Sequence, residues 1–389
     1  MFHREGICYN VVNVVSDELA EVFRKTGVEV VFFDISPWLT KEPDETLLSE
    51  LVNSGFDAAL AVNAVGQECY SIGGKNIYDL MDITFYNYIL DHPIAHQVDL
   101  KQGPSKYEVI CMDRHHCDFI GRCFPNIRGS YFLPLGGCDD GNAVTDLKEK
   151  EYDLVYTGTR MRLDEMEDKI TAYPPAIRKL TLACIEYMLD NRQLQPDEAL
   201  EQVLNNMGLG TLSGADFLNY AVATAIANRY LCAYVREELI RYLASSDIRL
   251  HVFGNGWDDI AEESTGNTVF HEPVDYRETA EIYKRSKLVL NVMPFFRDGS
   301  HDRIPTSLLN GAAVLTDHSK YLDETMTGKL YFYDISKPWE TAAEVKRILS
   351  DETGLAGTIS AGYAYASENM TWNAAGKKLL DIMNKEEVK

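Results

Sequence analysis

Glycine, histidine and basic residues gather at four short segments in the second half of the chain, each directly after a strand-like run. The first is Gly158-Thr159-Arg160, a tight turn followed by a fixed cation. The second is Gly254-Asn255-Gly256-Trp257, where two glycines allow a backbone to come close to a ligand and an indole offers a flat apolar face. The third is His271-Glu272-Pro273-Val274, ahead of Asp275 and Glu278, which read as an N-cap and its capping-box partner. The fourth runs from Asp298 through Gly299, Ser300, His301, Asp302, Arg303, Ile304 and Pro305 to Thr306. Pro305 suits the first turn of a helix that Gly311 ends. Free amides and the dipole at such an N-terminus favour a phosphate, and Arg160 and Arg303 could neutralise it. Each segment alone has a plainer reading, as a turn, a solvated cation or a core-edge tryptophan. Together they sit where parallel sheets bind ligands, beyond the C-terminal ends of the strands. A phosphate-bearing ligand is the expectation.

The elements that must position these loops form two alternating series. In the first, a helical apolar stripe at 13–26 stops at Gly27, and apolar runs at 28–35, 56–65, 84–90, 107–112 and 130–133 read as strands. Only residues 1–4 are available for a strand before them. The second series starts at 152 and resumes at 249–253, 268–270, 288–292, 313–316 and 330–333. Between its first two strands, about 162–246, the pattern is helical throughout and reads as an insertion. The expected fold is α/β, with a domain at 1–150, a second at 151–389 and a cleft between them.

Composition narrows the partners. Sixty acidic against 37 basic residues give a net charge of −23, which argues against nucleic acid and anionic membrane as partners. No apolar run approaches a membrane span and the N-terminus shows no signal-peptide core, so a cytoplasmic protein without a transmembrane segment is expected. The eight cysteines are scattered. Cys111, His115, His116, Cys117 and Cys123 contain zinc-ligand types, but at six-residue cysteine spacing, which favours reduced thiols over a metal site.

The order of the four segments resembles the C-terminal domain of GT-B glycosyltransferases, most of all the spore-maturation-protein-like bacterial family of the group 1 superfamily. The similarity covers 249–316 and 360–385. It rests on the strand and Gly-x-Gly-Trp element at 253–257, the loop and Tyr-x-x-Ser helix at 271–286, Asn291, the helix start at Gly299, Ser300 and Arg303 with Gly311 and Ala312, and Thr371-Trp372. The resemblance implies two Rossmann-like domains facing a cleft, an N-terminal acceptor domain and a C-terminal donor domain. The last helix, about 371–385, would pack back on the first domain. It implies sugar transfer from a nucleotide diphosphate, with a UDP-sugar as the expected donor and no cofactor. The acceptor would be a protein, an envelope glycan or a small molecule. Under it, His271 to Val274 would meet the nucleobase, while Gly158 to Arg160 and Ser300 to Arg303 would meet the phosphates. Thr306 would meet ribose or phosphate. Thr306 stands where the family commonly carries a glutamate, and this favours an alternative, a catalytically silent nucleotide-sugar-binding subunit supporting a partner transferase. An epimerase using His301 and Asp302 is a third option. No Asp-x-Asp occurs anywhere in the chain, which points to metal-independent diphosphate binding. The base for an inverting reaction is expected from Asp91 or His92, with His115 and His116 next.

Overall fold

Runs that are apolar on both faces become buried parallel strands, because helices must cover each side of the sheet they build. The computed structural model describes residues 1–4, 8–36, 45–67, 71–294 and 296–386. They divide into two units, Met1–Pro134 with Trp372–Lys389, and Leu135–Thr371.

In the first unit, β1 (Phe2–His3) and β2 (Phe33–Asp34) form a two-stranded parallel ribbon. The main sheet has the order β3-β6-β7-β8, all parallel, from Ala58–Val62, Thr84–Ile89, Tyr107–Cys111 and Gly129–Phe132. A small antiparallel hairpin, β4 (Ser71–Ile72) and β5 (Lys75–Asn76), lies between them in sequence. Helices α1 (Val11–Lys25), α2 (Glu45–Val52), α3 (Ile77–Met81), α4 (Gln97–Gln102) and α5 (Arg114–Cys123) complete the alternation. The strand expected at 28–35 shrinks to two residues. Its partner β1 is equally short, and Val28 and Val31 remain exposed rather than sandwiched.

The second unit holds a six-stranded parallel sheet of order β11-β10-β9-β12-β13-β14. In chain order these are β9 (Tyr152–Thr157), β10 (Leu250–Phe253), β11 (Thr268–His271), β12 (Ser286–Asn291), β13 (Ala313–Asp317) and β14 (Tyr331–Tyr333). Between β9 and β10 lie five helices and no strand: α6 (Leu163–Thr171), α7 (Pro175–Asp190), α8 (Pro196–Asn206), α9 (Gly214–Ala223) and α10 (Ala225–Ala244). The sheet's own helices are α11 (Asp258–Glu263), α12 (Glu278–Lys284), α13 (Arg303–Leu309) and α14 (Lys320–Thr325), followed by α15 (Thr341–Ser350) and α16 (Glu352–Asn369).

The division falls after Pro134 rather than at residue 150. Segment 135–150 is tied to the second unit: the Gly137 amide donates to Met370 O at 2.9 Å, Asn310 Nδ2 to Cys138 O at 2.8 Å, and Lys150 Nζ to Lys284 O at 2.7 Å. The last helix, α17 (Trp372–Glu386), belongs to the first unit and packs on α1. Gly376 permits this contact, since a Cβ there would lie 2.8 Å from Val22 Cγ1.

Candidate functional site

From β9 the chain winds outward through β10 and β11, then returns to β12 on the other side of β9. The crevice beyond the ends of β9 and β12 is therefore the topological switch point of this sheet, where ligands of doubly wound folds bind. Arg303, the first residue of α13, reaches that point. Its Nε donates to Thr157 O at 3.0 Å and Thr157 Oγ1 at 3.2 Å, and its Nη1 donates to Asn291 Oδ1 at 2.9 Å. Thr157 ends β9 and Asn291 ends β12, so one guanidinium spans the switch. It also lies 5.5 Å over the Tyr156 ring. All these partners are neutral.

Behind Arg303, His301 Nδ1 contacts the Asp302 carboxylate directly. Burial works against a charge on Asp302, but His301, Arg303 and the Tyr276 hydroxyl outweigh it and hold the carboxyl well below the usual carboxylate range. Burial, with the Arg303 charge, pushes His301 down. The amides expected to be free for a phosphate at the start of α13 are already bonded. Ile304 N donates to His301 O at 3.1 Å and Thr306 N to Asp302 O at 3.3 Å, Arg303 N lies against His301 Nδ1 at 3.3 Å, and Pro305 has no N–H. Unbonded capacity lies instead in Ser300, whose side-chain oxygen is buried without a hydrogen-bond partner among the described residues, and in the equally buried Tyr156 hydroxyl.

The paired loops after β9 and β10 hold each other. Gly158 N donates to Phe253 O at 2.8 Å, Arg160 N to Asn255 O at 2.9 Å, and Trp257 Nε1 to Gly158 O at 2.9 Å. Gly254, at φ 151°, could not carry a Cβ without striking Gly158 O, and Gly256, at φ 83°, faces Arg160 O. These glycines allow the close approach of two loops of the protein. Trp257 is 2% exposed and edge-on to Tyr156, so it is a staple between the loops rather than an open platform. Arg160 is likewise committed. Its Nε bonds Glu237 at 2.8 Å, its Nη1 bonds Asp259 and Gly256 O, and its side chain is 8% exposed. Thr159 beside it is half-buried.

At the outer edge, His271 stacks on Phe253, with centroids 4.1 Å apart and planes 8° apart, and its Nε2 lies 2.9 Å from His251 Nδ1. Burial pushes both imidazoles down. Glu272 is exposed, and Pro273 and Val274 are half-buried. The Glu278 carboxylate accepts from Asp275 N at 2.8 Å, half of the expected capping box, and α12 starts at Glu278 rather than at 275. Thr306 is buried, and its Oγ1 accepts from Cys138 N at 3.2 Å.

In the first unit, Asp91 is exposed and accepts from Asn63 Nδ2 at 3.2 Å. His92 is buried, and its Nδ1 caps the following turn by accepting from Ile94 N at 3.2 Å. Its ring meets the buried His116 edge-on at 4.7 Å. His115 N and His116 N both donate to the Asp113 carboxylate that caps α5. Among the described residues no set of three histidines, cysteines, aspartates or glutamates converges as metal ligands, and no helix is long and apolar enough to cross a membrane. Sequence reasoning missed Tyr156, Thr157 and Tyr276 as members of the site. The available signal was a polar residue closing an otherwise apolar strand, as Thr157 and Asn291 both do.

A sequence model of the glycosyl transferase-like family matches residues 236–381, from within α10 into α17. No curated protein sequence matches the chain significantly. Solved structures do match over nearly its whole length. An α-glucosyltransferase in complex with UDP-glucose and DNA containing an abasic site aligns with a TM-score of 0.57 at 11% identity, covering 98% of both chains. HepE from Anabaena in complex with UDP-glucose aligns at 0.53 and 11% identity, covering 99% of this chain and 98% of that one. Sucrose-phosphate synthase from Thermosynechococcus elongatus aligns at 0.53 and 12% identity, covering 97% and 93%. Two parallel α/β units with this strand order and these full-length matches give the chain the GT-B fold of glycosyltransferases.

Proposed function

We propose that this protein is a glycosyltransferase that takes a sugar from a nucleotide diphosphate, a UDP-sugar in the first instance, seated at the carboxyl edge of the β9–β14 sheet. The observation that carries the reading is Arg303: a cation anchored at the switch point by neutral groups only, and so able to stabilise charge developing on a leaving diphosphate. His271 on Phe253, with Pro273 and Val274 beside it, forms a half-buried aromatic and apolar surface suited to a nucleobase. Metal independence is supported by the basic switch point and by the lack of Asp-x-Asp. Asp91 is the better candidate base, since His92 is buried as a turn cap. One observation favours the second reading, a silent nucleotide-sugar-binding subunit: the Thr306 hydroxyl holds a backbone amide where the resembling family carries a carboxylate. Calorimetry with UDP, GDP, TDP, ADP and CMP, with and without EDTA, tests the binding. UDP binding undiminished by EDTA is expected, and loss of binding in EDTA would remove the metal-free mechanism. Slow hydrolysis of the UDP-sugar to free sugar without acceptor separates the enzyme from the silent subunit.

A further inference from the structure

A cavity of about 560 Å³ lies at the far end of the carboxyl edge of the β9–β14 sheet, where β13 and β14 stop. The loop after β12 supplies Arg297, the loop after β13 supplies Ser319 and Lys320, and the loop after β14 supplies Asp334 and Ile335. The helical insertion supplies Gln193, from the turn between α7 and α8. Arg297, Ser319 and Ile335 are buried and make the floor, while Gln193, Lys320 and Asp334 are exposed and make the rim. The insertion is latched at this place: Arg192 Nη1 donates to Ile335 O at 3.2 Å, pairs with Glu238 of α10, and its guanidinium lies 5.6 Å over the Tyr234 ring. The segment that leads into Arg303 makes another wall. Ser319 Oγ donates to Gly299 O at 2.7 Å and Lys320 N to Arg297 O at 2.8 Å. Along the sheet order, the His271 edge, the Arg303 switch point and this cavity therefore follow one another.

The lining selects a ligand by exclusion. Among the described residues around the cavity only Ile335 is apolar, so a lipid or a bare hydrocarbon has little to bury against. Arg297 is matched by Asp317 at 2.7 Å, and Asp323 meets His318 at 2.7 Å. A free anion would face the carboxylates of Asp323, Glu324 and Asp334, and a free cation would face Arg297 and Lys320. Among the described residues no three side chains converge as metal ligands. A neutral polyhydroxyl ligand meets both signs, because each hydroxyl donates once and accepts twice. The carboxylates take its protons, and Lys320 and the Gln193 amide give it theirs. His318 adds a flat surface for the C–H face of a sugar ring. It stacks on Phe332, with centroids 4.6 Å apart and planes 15° apart, and its side chain is 56% exposed. The volume is within the range of about 300–1,000 Å³ usual for small-ligand pockets. We propose that this cavity is a saccharide subsite, built jointly by the insertion and the loops of the sheet edge, and that it seats a glycan acceptor. The saccharide site stands on the chemistry of the cavity; the role of acceptor rests on the transferase function proposed above.

Four disaccharides serve as probes: maltose, cellobiose, lactose and N,N′-diacetylchitobiose. Each is titrated by calorimetry and by saturation-transfer NMR into wild type and into the double variant Gln193→Ala with Glu324→Ala, with and without UDP. Both positions are exposed, so the variant should melt within about 1 °C of wild type. At least one disaccharide should bind wild type saturably. The variant, lacking two hydrogen-bonding side chains, should bind it about tenfold or more weaker and keep its UDP affinity. A disaccharide that binds both proteins equally lies elsewhere and overturns the proposal, as does the failure of all four to bind wild type. Displacement of the disaccharide by UDP-glucose but not by UDP would make the cavity the seat of the donor's own sugar and overturn the acceptor assignment. Disaccharide binding that the variant loses, in a protein that binds no nucleoside diphosphate, upholds the saccharide site and removes the transferase reading. UDP binding without any disaccharide binding leaves that reading in place and removes this one.

Discussion

Arg160 and Arg303 stand at one sheet edge, Arg160 after β9 and Arg303 after the adjacent strand β12, yet their surroundings differ in kind. Arg160 meets two carboxylates, Glu237 and Asp259, and a carbonyl. Its charge is spent inside the protein, holding the insertion to the loop before α11. Arg303 meets a carbonyl, a hydroxyl and a side-chain amide. Those partners fix its direction without cancelling its charge. An arginine at such a sheet edge is thus placed either to brace the protein or to meet an anion, and the charge of its partners separates the two arrangements.

Three substitutions or conditions sharpen this contrast, taken from the largest effect down. Arg160→Ala leaves Glu237 and Asp259 facing each other with Arg241 alone between them. Breaking a part-buried network of this kind should cost about 3 kcal/mol, seen as a fall in melting temperature of roughly 6–12 °C. UDP affinity should be unchanged, and a loss of affinity without a loss of stability would reverse the assignment. Arg303→Ala is expected to behave the opposite way. Its lost charge-assisted bonds to a diphosphate should cost about 2 kcal/mol of binding, about 30-fold in UDP affinity, with a smaller effect on melting. Equal affinity in mutant and wild type would remove Arg303 from the donor site.

The smallest effect concerns the His251–His271 pair, where burial lowers both folded-state values. An unfolded histidine takes up its proton below about 6.5, whereas these two resist it while folded. Stability should therefore be flat at neutral pH and decline as pH falls through about 6.5 towards the lower folded values. Melting curves from pH 7.5 to 5 on wild type and His251→Gln read the difference, and an equal decline in both would exclude the pair as its source.

The strands of the second unit were legible because glycine and proline bound its apolar runs closely, while their order in the sheet was not. The hairpin β4–β5 escaped notice although Gly73 and Gly74, at φ 56° and 77°, make its turn, because two-residue strands carry no alternation to read. The partners of Arg160 were out of reach for another reason: Glu237 lies 77 positions away and Asp259 lies 99, and no local pattern links them. The start of α13 shows the limit most clearly. Pro305 and Gly311 mark the helix correctly, but spacing cannot reveal that His301 folds back onto the two amides a phosphate would need.

The return of α17 to the first unit has a consequence for the order in which the chain matures. Residues Leu135–Thr371 leave the ribosome as one uninterrupted stretch and hold every strand of their sheet. The first unit emerges earlier, but the face of α1 around Val22 that receives Gly376 has no cover until the final helix has been translated. Nascent domains generally fold in the order they are made, N-terminal first. Here that order is inverted: the unit begun first is the one closed last, and its α1 surface stays open to chaperones through the synthesis of the whole second unit.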